Sequence, residues 1–207
     1  MKNKIAYIAV ALILVLAGGY LTWDWLDQAE EVPVQEEEEE INIDLSVVAE
    51  EGFEVSVPLS WYKITPPEGI ALYLVDSESV VTDPEKEKEE FRTYLAVTHG
   101  ENGGLTLSEL TDQIESFLKD LIDGEITFGG KQPMEIGGRN AIAVEALIVE
   151  GAYQYKTLLV SVEGEGDDAW TMSFNTTDVK WDDLKPVFYK AAETFKVKIA
   201  DEETVQE

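Results

Sequence analysis

The sequence predicts an α+β domain in which an antiparallel sheet is covered by helices on both faces. Residues 139–174 hold the longest β-like runs and the cleanest reversals, and read as three consecutive antiparallel strands at 139–149, 152–162 and 169–174. In the first strand Ile142, Val144, Ala146 and Ile148 share one face, while Ala141, Ala143, Leu147 and Val149 share the other. Both faces are largely apolar, so both need cover. Two stretches of helical periodicity supply it, one after Thr106 and one after Asp182 or Asp183.

In chain order, Met1-Lys2-Asn3-Lys4 precedes an uncharged run of 19 residues, 5–23, dominated by Ile, Leu, Val and Ala. At about 1.5 Å per residue such a run spans a bilayer. Tyr20, Trp23 and Trp25 stand where an aromatic belt would meet the outer interface. Two lysines before the run and Asp24, Asp27, Glu30 and Glu31 after it place the amino terminus in the cytoplasm and the rest outside. The expectation is one N-terminal transmembrane helix within residues 1–26. A cleavable signal peptide shares the charged start, with Val15-Leu16-Ala17 as a small-residue cleavage site, but its apolar core is shorter. A buried core helix would carry a polar face, and none interrupts the run. Residues 27–43 form an acidic linker with Pro33, a glutamate run at 36–40 and no apolar period. Like charges extend it and hold the domain off anionic lipid. Binding of calcium or a basic partner is the alternative for the glutamate run, which has no EF-hand spacing.

Residues 44–200 suit one domain with a sizeable core, followed by an acidic tail at 201–207. Residues 52–58 alternate with period two, setting Phe53, Val55 and Val57 on one face until Pro58 ends the pairing. Strands are predicted at 71–75 and 91–98, joined by a charged surface loop at 83–90. Thr106-Leu107-Ser108-Glu109 is a capping box. The helix it opens carries Leu107, Leu110, Ile114, Phe117, Leu118 and Leu121 as one stripe, with Gly124 where it should stop. Residues 125–128 and 131–136 lead through Gly137-Gly138 into the central hairpin, whose turn is placed at Glu150-Gly151. Asp182 or Asp183 caps a last helix to about Thr194, with Pro186 in its first turn. Leu184, Val187, Phe188, Ala191, Ala192 and Phe195 form its buried side.

The order of Gly52-Phe53, Pro58, Trp61, the helix after Thr106, Gly138-Arg139-Asn140-Ala141, Trp181, Phe188 and Thr194-Phe195 resembles the PsbP-like family over about residues 50–197. The resemblance implies an α/β/α sandwich built on an antiparallel sheet. Members of that family include an extrinsic subunit of photosystem II, a Ran-binding nuclear import factor and bacterial envelope lipoproteins of the DcrB type. It therefore implies a fold rather than an activity. The photosystem subunit is similar to a soluble lumenal protein that docks through basic residues. This chain departs from it in having a membrane span and few basic residues.

The chain has no cysteine, which excludes disulfides, thiol catalysis and a lipid-modified cysteine. It carries 43 acidic and 15 basic side chains, a formal charge of -28, and such a field repels nucleic acid. His99 is the only histidine, which rules out a multi-histidine metal site and leaves one possible base for a Ser-His-Asp triad. No serine stands in a Gly-x-Ser-x-Gly elbow, and His99 reads as a surface or turn residue at a strand end. The glycine pairs 103-104, 129-130 and 137-138 lack the setting of a phosphate loop and read as turns. Residues 164–168 read as a hairpin loop, with a calcium site as the alternative from too short a span. No catalytic, cofactor-binding or metal residue is assigned, and no cofactor is expected. The expected function is that of a membrane-tethered, extracytoplasmic, non-catalytic binding or assembly domain whose partner is a membrane or envelope protein. The alternative is an envelope hydrolase using carboxylates or a metal, recognisable by a deep pocket with two convergent carboxylates of raised pKa. A binder would instead show an exposed apolar patch.

Overall fold

The computed structural model describes residues 43–82, 90–150 and 153–198. The predicted membrane helix, the linker up to residue 42, the loop at 83–89 and the tail after 198 lie outside the described residues. Among the described residues no helix is long and apolar enough to cross a membrane.

The predicted central meander is present and longer than the apolar runs alone suggest. β8 (Arg139–Glu150), β9 (Tyr153–Glu163) and β10 (Asp168–Thr177) pair antiparallel in sequence order. Gly137 and Gly138, at φ 58° and 76°, make the two-residue reversal from β7 (Gln132–Ile136) into β8, a backbone that side chains with a Cβ avoid. At the other end of β8 the register is Glu150 opposite Tyr153. Glu150 therefore belongs to the strand and not to the predicted Glu150-Gly151 turn, and residues 151–152 lie outside the described residues.

Around the meander an eight-stranded antiparallel sheet runs β3-β4-β5-β10-β9-β8-β6, with β7 also on β8. Here β3 is Trp61–Lys63, β4 Leu72–Thr82, β5 Glu90–Glu101 and β6 Glu125–Phe128. β6 and β7 pair with successive halves of β8, so together they form one edge interrupted at Gly129-Gly130. Helix α1 (Leu107–Leu121) covers one face over β6, β8 and β9. Its capping box forms as expected: the Glu109 N–H donates to Thr106 Oγ1 at 3.3 Å and the Thr106 N–H donates to Glu109 Oε2 at 2.9 Å. Leu107, Leu110, Ile114 and Leu118 pack on Leu159 and Ala169. Gly124 plays a different part from the one predicted. The helix ends without a glycine cap, Ile122 being already extended, and Gly124 is needed because a Cβ there would run into the Val149 carbonyl oxygen.

The opposite face is covered by more than a helix. Helix α2 (Asp178–Glu193) shares it with a second sheet of order β1-β2-β11, formed by Leu45–Glu50, Phe53–Pro58 and Lys196–Val197. Phe53, Val55 and Val57 point inward and are fully buried, joining Leu158, Met172, Phe174 and Phe188 in the main core. Two expectations for α2 are corrected. It starts after Thr177 rather than at Asp182 or Asp183, and Pro186 consequently lies in its interior. Proline removes the bond to the Asp182 carbonyl, but both residues lie on the exposed side, where water can take that acceptor. Of the predicted buried side, Phe188, Ala191, Ala192 and Phe195 are buried, Leu184 and Val187 are half-buried, and Trp181 is added. Thr194 then ties the helix end to β2, its Oγ1 accepting from the Ser56 N–H at 2.7 Å.

Candidate functional site

His99 is placed within β5, opposite Trp170 of β10. Its ring stacks on the indole with centroids 4.1 Å apart, and Nε2 lies 3.2 Å from Asp168 Oδ2. Trp170 in turn contacts Phe53 and Phe195, so the half-exposed imidazole lies over the end of the core. An indole face and a surface carboxylate pack and pair a histidine; neither is a hydroxyl or thiol from which it could take a proton.

The loop at 164–168 is held from within. Arg139 donates to the Gly164 carbonyl at 2.6 Å and pairs with Glu165, while Asp168 faces His99. Three oxygens of the loop are thus engaged by a guanidinium and an imidazole. Among the described residues no three His, Cys, Asp or Glu side chains converge. The glycine pairs serve as turns: Gly103 and Gly104 have positive φ ahead of α1, and Gly104 N–H donates to Asn102 Oδ1 at 2.8 Å. On the outer flank of α1 burial pushes the Glu115 carboxyl above the usual range, against the opposing pull of Lys131. Its acidic neighbour Asp112, whose charge adds to that rise, is bound to Lys131 at 2.7 Å.

Sequence reading missed a buried polar stripe on the α1 face of the large sheet. Thr157 Oγ1 donates to Asn175 Oδ1, Asn175 Nδ2 donates to Ser173 Oγ at 2.8 Å, and Thr98 Oγ1 donates to the Thr171 backbone carbonyl at 3.4 Å. These side chains are almost wholly buried and find their partners in one another or in the sheet backbone. Beside it, burial pushes Tyr73 up to about 12, and burial followed by the charges of Tyr73 and Tyr155 pushes Tyr94 well above its ordinary value.

Among the described residues the exposed large apolar side chains are Val179 of α2, standing alone, and three at a corner made by β1 and β3. Val47 is 65% exposed, Leu59 66% and Tyr62 40%. Leu45, Val47 and Ala49 alternate outward on β1, with Ser56 and Pro58 beside them on β2. The Leu59 N–H donates to the Asp44 carbonyl at 3.3 Å, fixing the β2–β3 turn to the point where the linker enters the domain. Lys63 of β3 reaches Glu50 of β1 at 2.5 Å, so the edges of the two sheets lie side by side. The sequence reading assigned no strand at 45–50, and the exposure of this surface depends on pairing that the sequence does not display.

No family model and no curated protein matches the sequence. Among solved structures, the fold is similar to that of cyanobacterial PsbP from Synechocystis sp. PCC 6803, with a TM-score of 0.56 at 18% identity over 79% of this chain and 99% of that one. It is similar to LpqN of Mycobacterium tuberculosis, described as involved in cell envelope biogenesis, with a TM-score of 0.55 at 13% identity over 75% and 91% of the two chains. It is also similar to the Saccharomyces cerevisiae Ran-binding protein Mog1p, with a TM-score of 0.53 at 12% identity over 75% and 96%. The chain therefore has the PsbP-like fold that the residues resembled. At these identities the likeness is one of fold.

Proposed function

We propose that this protein is a membrane-tethered, extracytoplasmic, non-catalytic binding domain whose β1–β3 corner holds a membrane or envelope protein. The observation that carries the reading is the position of the exposed apolar side chains Val47 and Leu59, gathered where the linker enters an otherwise strongly acidic molecule. The uncharged run at 5–23 supplies the tether. Confinement to one membrane raises the effective concentration of any partner in it, so a small surface suffices. Two structures of similar fold support the reading by their descriptions, one involved in cell envelope biogenesis and the other Ran-binding.

Two measurements test it. Protease added outside intact cells or spheroplasts should remove the domain, and protection of the domain would sink the proposed topology. A photo-crosslinker placed at Val47 of the full chain should capture a membrane or envelope protein, and His99→Ala should leave that capture unchanged. Turnover of a substrate by the purified chain, abolished by His99→Ala, would replace the binding reading with an enzymatic one.

A further inference from the structure

Resting on that reading, we infer that β1 is a docking edge that takes an extended, cationic segment of the partner as a fourth strand of the small sheet. β1 pairs with β2 without a register shift along all of Leu45–Glu50, and among the described residues no strand pairs with its outer side. Proteins ordinarily protect such a row of backbone donors and acceptors with lysine, proline, bulges or brevity. The sequence Leu-Ser-Val-Val-Ala-Glu contains no lysine and no proline, and its pairing is regular. The other edges are protected. β3 is 3 residues long, β11 is 2, and the β6/β7 edge is broken at Gly129-Gly130 and carries Pro133.

The chemistry of the occupant follows from side chains and charge. An added strand would lay its alternate side chains beside Leu45, Val47 and Ala49, which favours aliphatic residues at every second position. The intervening residues fall beside Ser46, Val48 and Glu50 and meet the acidic field of the chain as a whole. The chain carries a formal charge of -28, glutamates 36–40 precede β1, Glu50 ends it in a pair with Lys63, and Glu51 follows it. A second copy of this chain would bring the same charge to the same edge and be repelled. Lysine or arginine between aliphatic residues is attracted.

The test uses the full chain in nanodiscs of phosphatidylcholine and a labelled probe peptide alternating lysine with valine. The probe should bind, more weakly as salt rises, and the same peptide with glutamate for lysine should not. Two further probes, N-methylated at one or the other alternate set of amides, separate strand addition from charge attraction alone. One set should abolish binding and the other preserve it, because only one set faces the edge. Val47→Lys should weaken the probe at least tenfold with the circular dichroism spectrum unchanged. Equal binding of both N-methylated probes, no binding of the parent probe, or a doubled mass by light scattering that Val47→Lys abolishes would each overturn the inference. Because the probe needs neither cells nor the native partner, its failure alongside successful crosslinking at Val47 would remove strand addition and leave the binding-domain reading standing.

Discussion

The two flanks of this sandwich treat their edges in opposite ways. On the far flank β8 is met by β6 and β7 in turn, and the break between them is closed by the Gly129 N–H donating to the Glu145 carbonyl at 2.8 Å. Side chains reinforce that flank: Glu145 accepts from Tyr189 and pairs with Lys185, both at 2.9 Å, tying α2 to β8. On the near flank β1 stands at the border of its sheet with Val47 in water. The same chain therefore spends glycines, a proline and an ion pair on ending one edge and nothing comparable on the other. What differs is not the strength of the core behind each edge, since Phe53, Phe174 and Phe188 belong to one cluster.

That shared core gives the largest effect. Phe188 stacks on Phe174 with centroids 5.3 Å apart and meets Trp61 and Trp181 edge-on at 6.1 and 6.0 Å. Phe188→Ala should cost on the order of 3 to 5 kcal/mol in denaturant unfolding and lower both flanks in one transition. Two separate transitions would show that the small sheet is an independent unit and break the comparison at its base. A smaller and local effect is expected from Gly124→Ala on the closed flank. The added methyl meets the Val149 carbonyl, and the cost should be about 1 to 3 kcal/mol. Hydrogen exchange should quicken in β6 and β8 and stay unchanged in β1; a uniform quickening would mean that the flanks are coupled.

The smallest effect concerns pH. Tyr73, on β4 beside the open flank, is pushed from 10.0 to about 12 by burial. The folded state holds its neutral form, so this contribution is fully present below pH 10.0 and is lost as pH rises toward about 12. The urea midpoint should fall across that window, and Tyr73→Phe should make the fall shallower. An unchanged slope would assign the alkaline loss to Tyr94, which is also raised.

Legibility in the sequence followed how local each cause is. The capping box at Thr106 and Glu109, the Gly137-Gly138 reversal and the alternation of β8 are all contained in a few neighbouring residues, and each formed as expected. The start of α2 was missed because Val179 is 87% exposed and breaks the apolar period, while Thr177 makes no side-chain cap. The small sheet was missed because its strands come from both ends of the domain, and two residues at Lys196 and Val197 carry no periodicity of their own. The corner at Val47 was hidden for the same reason. Whether a strand is an edge is decided by which other strands arrive.

The third strand of the small sheet also orders events in time. Lys196 and Val197 pair with Glu54 and Phe53, and the Lys198 N–H donates to the Gly52 carbonyl at 2.8 Å. The first strands to leave the ribosome thus wait for almost the last residues of the domain before their sheet is complete, a long loop closure that makes this region slow to settle. A chain truncated before residue 196 could not finish the sheet on which β1 rests, so the completed sheet certifies that the domain has been synthesised through its last strand.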